Sequence, residues 1–454
     1  GSGKSNYITT VDFIEPDHPV CRCSCPSRQF PCKHGLALLY EILAQKNFGT
    51  CEIPEDILKK REKKQAKEAK GASAQAEDPL NAEDPEAAAR KKASAAKSAK
   101  AAKTKKLKKQ LEGLELAARL IRDLTRAGLG TMGGTALKNY EQLAKQLGDY
   151  YLPGPQRLLN GLILEIAAFQ KDSREEHYEA AIAILEKFRT LVKKSRQYLS
   201  DKLEQGDVEQ DDSELYEELG GIWKLEQLGE LGLKKEQARL MQLAFQVTFD
   251  AARKEYIDKG YWVDVDTGEL CHTCNYRPVK ALSHVKQEDS CFSLLRIPVL
   301  TWYPGSGDRR VRWESADYQE AAPQDYGAVM EKAYTDLPTA MKAVKNQLKN
   351  TLSQGYLPVL VSYEAIGMVE AEAGESTKAG QSAEAGKIGR TVSGAVIYAL
   401  RDHSGNRIKL CCLEGLDDTV SMIPLLPDRS LYEEGVLFGL AYYDSRDRQM
   451  GIHP

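Results

Sequence analysis

The feature of this sequence that most constrains its fold is a set of three cysteines and one histidine in C-x-C-x6-C-x-H spacing: Cys23, Cys25, Cys32 and His34. Three thiolates and one imidazole are the donor set of a closed tetrahedral Zn²⁺ site. Residues 7–13 are rich in β-branched and aromatic side chains and predict a strand, and residues 20–25 predict a second strand after a turn. Because side chains two positions apart share one face of a strand, Cys23 and Cys25 can bind the same ion.

A helix is predicted directly after the last two candidate ligands, because four apolar residues recur there at helical spacing: Leu36, Leu39, Tyr40 and Leu43. Cys32 and His34 would then lie at the start of this helix, whose positive end favours a thiolate. The segment therefore predicts a ββα zinc knuckle. Cys21 shares a strand face with Cys23 and Cys25, so it either replaces Cys23 or remains a spare thiol, and we favour the spare thiol. Merely buried or disulfide-bonded cysteines are the less favoured alternative.

The run Cys-Ser-Cys-Pro-Ser-Arg-Gln-Phe-Pro-Cys-Lys-His, residues 23–34, closely resembles the SWIM zinc finger. The resemblance covers about residues 5–45 and implies that the family's zinc ligands fall on Cys23, Cys25, Cys32 and His34. It also implies a binding role towards nucleic acid or protein rather than catalysis. The remainder of the chain loosely resembles longer bacterial proteins that carry this finger, and this wider likeness implies no defined activity.

Length and composition limit the remaining possibilities. A chain of 454 residues allows two to four domains with sizeable cores. No apolar run approaches the roughly 20 residues of a membrane span. Ten cysteines in a chain of this length do not suggest a disulfide scaffold, so we expect a reducing, cytoplasmic location. The sequence begins with Gly1 rather than Met, which allows for a fragment of a longer protein.

The net charge of −3 conceals a strong asymmetry along the chain. Residues 59–110 contain 17 Lys and Arg against 7 Asp and Glu, whereas the rest of the chain carries a net charge of −13. Residues 52–58 end the ordered part, and residues 59–106 consist largely of Ala, Lys, Glu, Ser and Gln. This second stretch has too few large apolar side chains to offset the entropy cost of ordering. We therefore predict a disordered basic linker over 51–106, behind a finger domain at 1–50.

Two larger domains are predicted after this linker. Apolar stripes at helical spacing predict an all-α domain over 107–260, with its fourth stripe at the end of that range: Leu240, Leu243, Ala244 and Val247. Residues 261–454 predict a mainly antiparallel β domain, either a sheet or an open barrel, with helical residues 326–349 and a Gly/Ala/Glu-rich loop at 370–387. Its predicted strands are 291–303, 357–363, 392–400, 407–413 and 436–443, and residues 402–406, which contain Ser-Gly, predict a hairpin turn between two of them. The fold class is thus multidomain α+β.

Two further motifs suggest metal or nucleotide chemistry, and we do not favour either. Cys271 and Cys274 form a C-x2-C pair, but His284 and Cys291 make an irregular second half for a zinc site, so ordinary packing is the preferred interpretation. The opening Gly-Ser-Gly-Lys-Ser resembles part of a phosphate-binding loop, but it lacks the preceding strand and is followed by another predicted strand. We expect no nucleotide hydrolysis.

Basic and aromatic residues alternate in segments 275–280 and 302–313. Such residues can hold phosphates and stack on bases, although a buried aromatic core with solvated arginines is the favoured alternative. The chain shows no recognisable catalytic constellation, and we expect a binding protein rather than an enzyme. The favoured function is a zinc-binding interaction protein whose finger and basic arm bind nucleic acid, a protein partner or both, with the body as scaffold. A protein–protein adaptor without nucleic acid is the main alternative, and an enzyme in the C-terminal domain is a weaker one.

Overall fold

The computed structural model describes most of the chain in nine segments: residues 7–13, 20–25, 32–49, 85–134, 136–206, 213–369, 397–413, 415–445 and 447–454. The chain forms two compact units, residues 1–90 and 91–454. Each unit is considered separately below.

The first unit contains a small ββα fold, as the sequence predicts. Strands β1 (Thr9–Asp12) and β2 (Val20–Cys23) pair antiparallel, with Thr9 opposite Cys23, and α1 (Lys33–Leu43) packs against both strands. Among the described residues of this unit, only Asp12, Cys32 and Gly35 are buried. So small a core indicates that something other than apolar burial stabilises the fold.

The helical part of the second unit contains six α-helices among its described residues: α2 (Pro85–Ala127, which starts within the first unit), α3 (Ala136–Asp149), α4 (Pro153–Asp172), α5 (Glu175–Gln205), α6 (Glu214–Glu218) and α7 (Leu225–Glu230). Pro153 begins α4, where the missing N–H of proline costs no helical hydrogen bond. Gly206 ends α5 in the left-handed conformation, with φ of 69°. Leu114, Leu162 and Phe188 lie in the shared core of these helices.

Both predicted boundaries of the helical domain need correction. The predicted linker 51–106 is helical from Pro85 onwards, because its alanines and lysines favour helix and continue into an apolar stripe with buried Leu114 and Leu124. Residues 51–84 lie outside the described part of the chain. At the other end, the predicted fourth helical stripe is wrong: Leu240 to Val247 belong to a strand. Pairing with residues 258–264 and, at Leu240, with Leu295 outweighs the local helical spacing.

That strand opens a first barrel formed by β3 (Lys234–Asp250), β4 (Glu255–Asp264), β5 (Leu270–Pro278), β6 (Leu294–Trp302) and β7 (Arg309–Arg312), with β8 (Asp317–Gln319) added to β6. The pairing order is β3-β4-β5-β7-β6, and β6 pairs back to β3, which closes the ring. All these pairs are antiparallel except β5 with β7. The two halves of β3 pair with different strands: residues 234–240 pair with β6, and residues 240–250 pair with β4.

A second closed barrel follows the helices α8 (Pro323–Met330) and α9 (Leu337–Leu348), and it contains β9 (Tyr356–Val369), β10 (Ile397–Arg401), β11 (Arg407–Leu410), β12 (Glu433–Asp444) and β13 (Gln449–His453). Its strand order is β10-β11-β13-β12-β9, again with one parallel pair, β11 with β13. The prediction of a mainly antiparallel β domain with a packed helix is therefore confirmed. The barrel is closed, whereas the sequence predicted a sheet or an open barrel. The predicted loop 370–387 lies outside the described residues.

The predicted turn between β10 and β11 is built around Asp402, which is fully buried. Its carboxylate accepts hydrogen bonds from the backbone N–H groups of Leu337, Ser404 and Asn406 and from the Asn406 side chain. This residue therefore ties the start of α9 to the β10–β11 hairpin. In the part of the chain that the structure describes, no helix is both long enough and apolar enough to cross a bilayer.

Candidate metal centre

The ββα fold of the first unit brings the four predicted ligands together. Cys23 ends β2 and Cys25 follows two residues later, while Cys32 and His34 lie at the start of α1. The ligand atoms of all four residues lie within 4.8 Å of one another. Two strand positions and one helix start therefore converge on a single point.

The distances between these ligand atoms suit a zinc ion. Cys23 Sγ lies 3.8 Å from His34 Nδ1, and Cys32 Sγ lies 4.0 Å from the same nitrogen. A tetrahedral ion with typical Zn–S and Zn–N bonds would separate sulfur from nitrogen by about 3.6 Å. A small contraction around the ion would complete the site, and its four protein ligands would leave no open coordination position. The centre is suited to a structural zinc.

The surroundings of the cysteines favour the thiolate that binds metal. A hydrogen bond with the Thr9 hydroxyl, 3.1 Å from Cys23 Sγ, is the main cause that lowers the pKa of Cys23 to about 7. Cys32 is the residue before the first turn of α1, and its carbonyl accepts a hydrogen bond from Leu36. Its position at the start of α1 brings its sulfur to the ligand cluster. Thr9 could not be identified from the motif, because its position opposite Cys23 depends on the β1–β2 register.

Cys21 lies outside this cluster. It pairs with Val11 in the middle of the hairpin, and its sulfur is not among the group of converging ligand atoms. This placement agrees with its assignment as a spare thiol.

Residues 10–43 match the family model of the SWIM zinc finger. The N-terminal fold is a SWIM zinc finger. The comparison with curated proteins gives no match. The SWIM finger is thus the part of the chain on which the sequence motif, the geometry and the family model agree.

The second cysteine motif does not assemble a metal site among the described residues. Cys271 and Cys274 are three positions apart on β5, so their side chains point to opposite faces of the strand. Cys271 is buried in the core of the first barrel, and this burial raises its pKa well above the usual thiol value. His284 and Cys291 do not join them, and the neighbouring His272 instead contacts Asp308, with 2.8 Å between Nδ1 and Oδ1.

Other cysteine and histidine side chains of the second unit have ordinary environments, and the motif that resembles a phosphate-binding loop lies outside the described residues. Cys411 is a packed thiol beside the Tyr442 hydroxyl, at 3.0 Å, whereas Cys412 is exposed and contacts Asp418. His177 bridges two helices, with its Nδ1 2.7 Å from Glu165. The Gly-Ser-Gly-Lys-Ser run, residues 1–5, lies outside the described residues.

The two basic and aromatic segments divide between core and surface. Trp313 packs edge-on against Trp262 in the first barrel, and Arg277 forms a buried ion pair with Asp258 at 2.6 Å. Several other members line a cleft beside that barrel: Tyr276, Tyr303, Arg309, Arg310 and Arg312. The two segments therefore contribute both to the barrel core and to its surface.

Proposed function

We propose that this protein is a zinc-dependent interaction protein that binds nucleic acid through its basic helix, with the SWIM finger as a second contact. The observation that carries the proposal is the charge of α2. From Ala87 to Leu111 the sequence holds ten Lys and Arg and no Asp or Glu. Such a segment attracts a phosphate backbone regardless of base sequence.

The distribution of the lysines on the helix supports this proposal. At 100° per residue, the seven lysines between 97 and 109 point in all directions around α2 rather than along one stripe. Lys97, Lys100, Lys105 and Lys108 are exposed, and Lys109 lies near the rings of Tyr150 and Tyr151. A helix that is positive on every side suits a flexible polyanion more than a single complementary protein surface.

The test is a salt titration of binding to a fluorescein-labelled 15-nucleotide oligo(dT) and to a 15-base-pair duplex, followed by anisotropy. We expect steep weakening of binding with salt. Replacing Lys97, Lys100, Lys105 and Lys108 by Gln should lower the slope by up to about 0.7 per lysine for the single strand and 0.9 for the duplex. The matched control carries four Lys→Gln changes on other helices: Lys138, Lys145, Lys171 and Lys193. An equal loss of slope in the control, or no binding by the wild type, would contradict the proposal.

A protein adaptor is the second candidate, and a specific observation favours it. Three large side chains of α1 lie at i, i+4 and i+7 and are 44%, 71% and 77% exposed: Leu36, Tyr40 and Leu43. Amphipathic helices commonly present such a stripe to a partner. We further propose that the four-ligand zinc serves binding and not catalysis, because a filled coordination shell offers no position to a substrate.

A further inference from the structure

The outer face of β4 and β5 in the first barrel carries ionisable and aromatic side chains that neither the finger nor the basic helix uses. The register places Lys259 opposite Cys274 and Tyr261 opposite His272. Strand alternation sends these four side chains, together with Tyr276, to the outside of the ring. The alternate positions, among them Trp262 and Cys271, fill the core of the barrel.

Four side chains of this outer face form the floor of a cleft of about 1970 Å³: Lys259, His272, Cys274 and Tyr276. The lining also includes Trp262 and Val311 from the barrel core. The helical layer of the same unit forms its opposite wall, with Lys187 of α5, Glu217 of α6 and Trp223 of the loop between α6 and α7. Asn350, which follows α9 and also lines the cleft, is bonded to the helical layer, because its amide donates to Glu214 and its carbonyl oxygen accepts from Lys194. The cleft therefore lies between the first barrel and the helical layer of one compact unit.

The cleft floor is organised around Asp308. Its carboxylate lies 2.8 Å from His272 Nδ1 and 3.4 Å from Lys259 Nζ, and Lys259 also donates to Gln354 at 2.8 Å. Burial, reinforced by the Lys259 charge, lowers the pKa of His272, so its ring is neutral near pH 7. With Nδ1–H donating to Asp308, the Nε2 atom is left as an acceptor on a residue that lines the cleft.

The rim of the cleft exposes aromatic side chains. Phe292 is 91% exposed, Tyr318 is 68% exposed and Tyr276 is 38% exposed, and all three line the cleft. The Arg310 guanidinium, which also lines the cleft, lies 3.7 Å from the centre of the Tyr303 ring, and its buried Nε has no hydrogen-bond partner among the described residues. Exposed rings and stacked guanidinium groups are the surfaces on which unpaired bases stack.

The barrel topology independently identifies the same face. Numbered within the barrel, the pairing order is 1-2-3-5-4 and back to 1, with strands 3 and 5 parallel, which is the connectivity of the OB fold. OB folds bind oligonucleotides or oligosaccharides on strands 2 and 3 and on the loops 1–2 and 4–5. Here these elements are β4, β5 and the loops 251–254 and 303–308, and both loops contribute to the cleft lining through Arg253 and Ser306.

The charge of the cleft defines the mode of binding. Eight Lys and Arg and seven Asp and Glu line it, and several are already paired, such as Arg310 with Glu217 and Arg253 with Glu255. A nearly neutral cleft gains little from phosphate contacts, so its contribution would come from stacking and hydrogen bonds to bases.

We propose that the cleft over β4 and β5 binds unpaired bases of a single-stranded nucleic acid, which stack on Phe292, Tyr318 and Tyr276. The proposal rests on the proposed function for its ligand class, but on different residues. It assigns base contacts to the cleft and phosphate contacts to α2. The arginine–aromatic stacks and the lysine-rich helix of the same unit favour a nucleic acid over an oligosaccharide.

The test uses the labelled 15-nucleotide oligo(dT) with the full chain. Phe292→Ala and Tyr318→Ala change exposed side chains, so the fold should be retained. Each should weaken binding about 5- to 100-fold, the loss expected for one stacked base, without changing the salt slope. Tyr443→Ala, an exposed aromatic on the second barrel and outside the cleft, is the matched control and should bind like the wild type.

A second readout locates the strand directly. Photocrosslinking with oligo(dT) containing 5-iodouracil, followed by mass spectrometry, should place crosslinks in residues 255–278 and 287–319. Unchanged affinity in both cleft variants, crosslinks confined to α2, or binding of a neutral oligosaccharide such as cellohexaose in place of the oligonucleotide would each overturn the proposal. If the cleft variants lose affinity but the lysine variant keeps the salt slope of the wild type, the proposal that α2 binds phosphates is refuted. The proposal that the cleft binds bases is then retained.

Discussion

The finger and the second unit differ in what stabilises their folds. In the finger, the only buried side chains among the described residues are those of Cys32 and Asp12, and four ligand atoms converge within 4.8 Å. In the second unit, continuous apolar clusters fill a helical layer and two barrels. The comparison teaches that one chain can combine a metal-dependent fold with a metal-independent one, so the two should respond to different perturbations.

Zinc removal should have the largest effect, and only on the finger. Structural zinc contributes roughly 10–16 kcal/mol in zinc-finger peptides, far more than so small a core can replace. We expect a chelator, or Cys32→Ser, to remove one equivalent of zinc and to unfold residues 7–49. Hydrogen exchange followed by mass spectrometry should show loss of protection there and unchanged protection over residues 91–454. Cys21→Ser, the matched control, should retain the zinc.

Truncating a core side chain of the second unit should destabilise that unit and leave zinc binding by the finger unchanged. Phe188 is fully buried among the helices of the second unit, and Phe188→Ala should lower the free energy of unfolding by about 3–5 kcal/mol. Urea unfolding measured by circular dichroism gives this value, and zinc analysis should still return one equivalent. Leu425→Ala, at a 74% exposed position, should change the stability little. Loss of zinc in the Phe188 variant would contradict the independence of the two folds.

The stability of the second barrel should depend on pH through the Asp402 carboxyl group. Burial acts to raise its pKa, but hydrogen bonds from Leu337, Asn406 and Ser404 outweigh that effect and lower it. A lowered pKa stabilises the folded state fully above the unfolded value of about 3.9, and the contribution is lost as the pH falls through the folded pKa.

Asp402→Ala leaves buried N–H groups without an acceptor and should cost roughly 3 kcal/mol at pH 7. The difference from the wild type should shrink below about pH 4, as urea unfolding at several pH values would show. A difference independent of pH would contradict the role of the carboxylate. Asp428→Ala, at an exposed turn, serves as control.

The smallest effect is expected at His177 on the surface of the helical layer. Its hydrogen bond to Glu165, with support from Asp172, raises the pKa of His177. A raised pKa stabilises the fold below the unfolded value of about 6.5, and the contribution disappears as the pH rises through the folded pKa. His177→Gln should therefore lower the Tm at pH 5.5 and have little effect at pH 8.5. An equal change at both pH values would contradict this ion pair.

The sequence was most informative where the determinants are local. The spacing of the finger ligands lies within twelve residues, and the turn before Arg407 lies within five, so both could be recognised from neighbouring side chains. The strand β3 could not, because its helical apolar spacing competes with pairing to β4 and β6. The cleft was also hidden, since Lys259 and Asp308 lie 49 positions apart and meet only through the barrel.

The pairing of β9 with β12, a strand much later in the sequence, has a consequence for biosynthesis. Residues 356–365 of this strand pair with β12, which is made about 70 residues later. Until that partner emerges from the ribosome, one edge of β9 lacks its native neighbour and can template intermolecular association. Nascent chains halted before residue 433 should therefore require chaperone protection that the completed polypeptide does not.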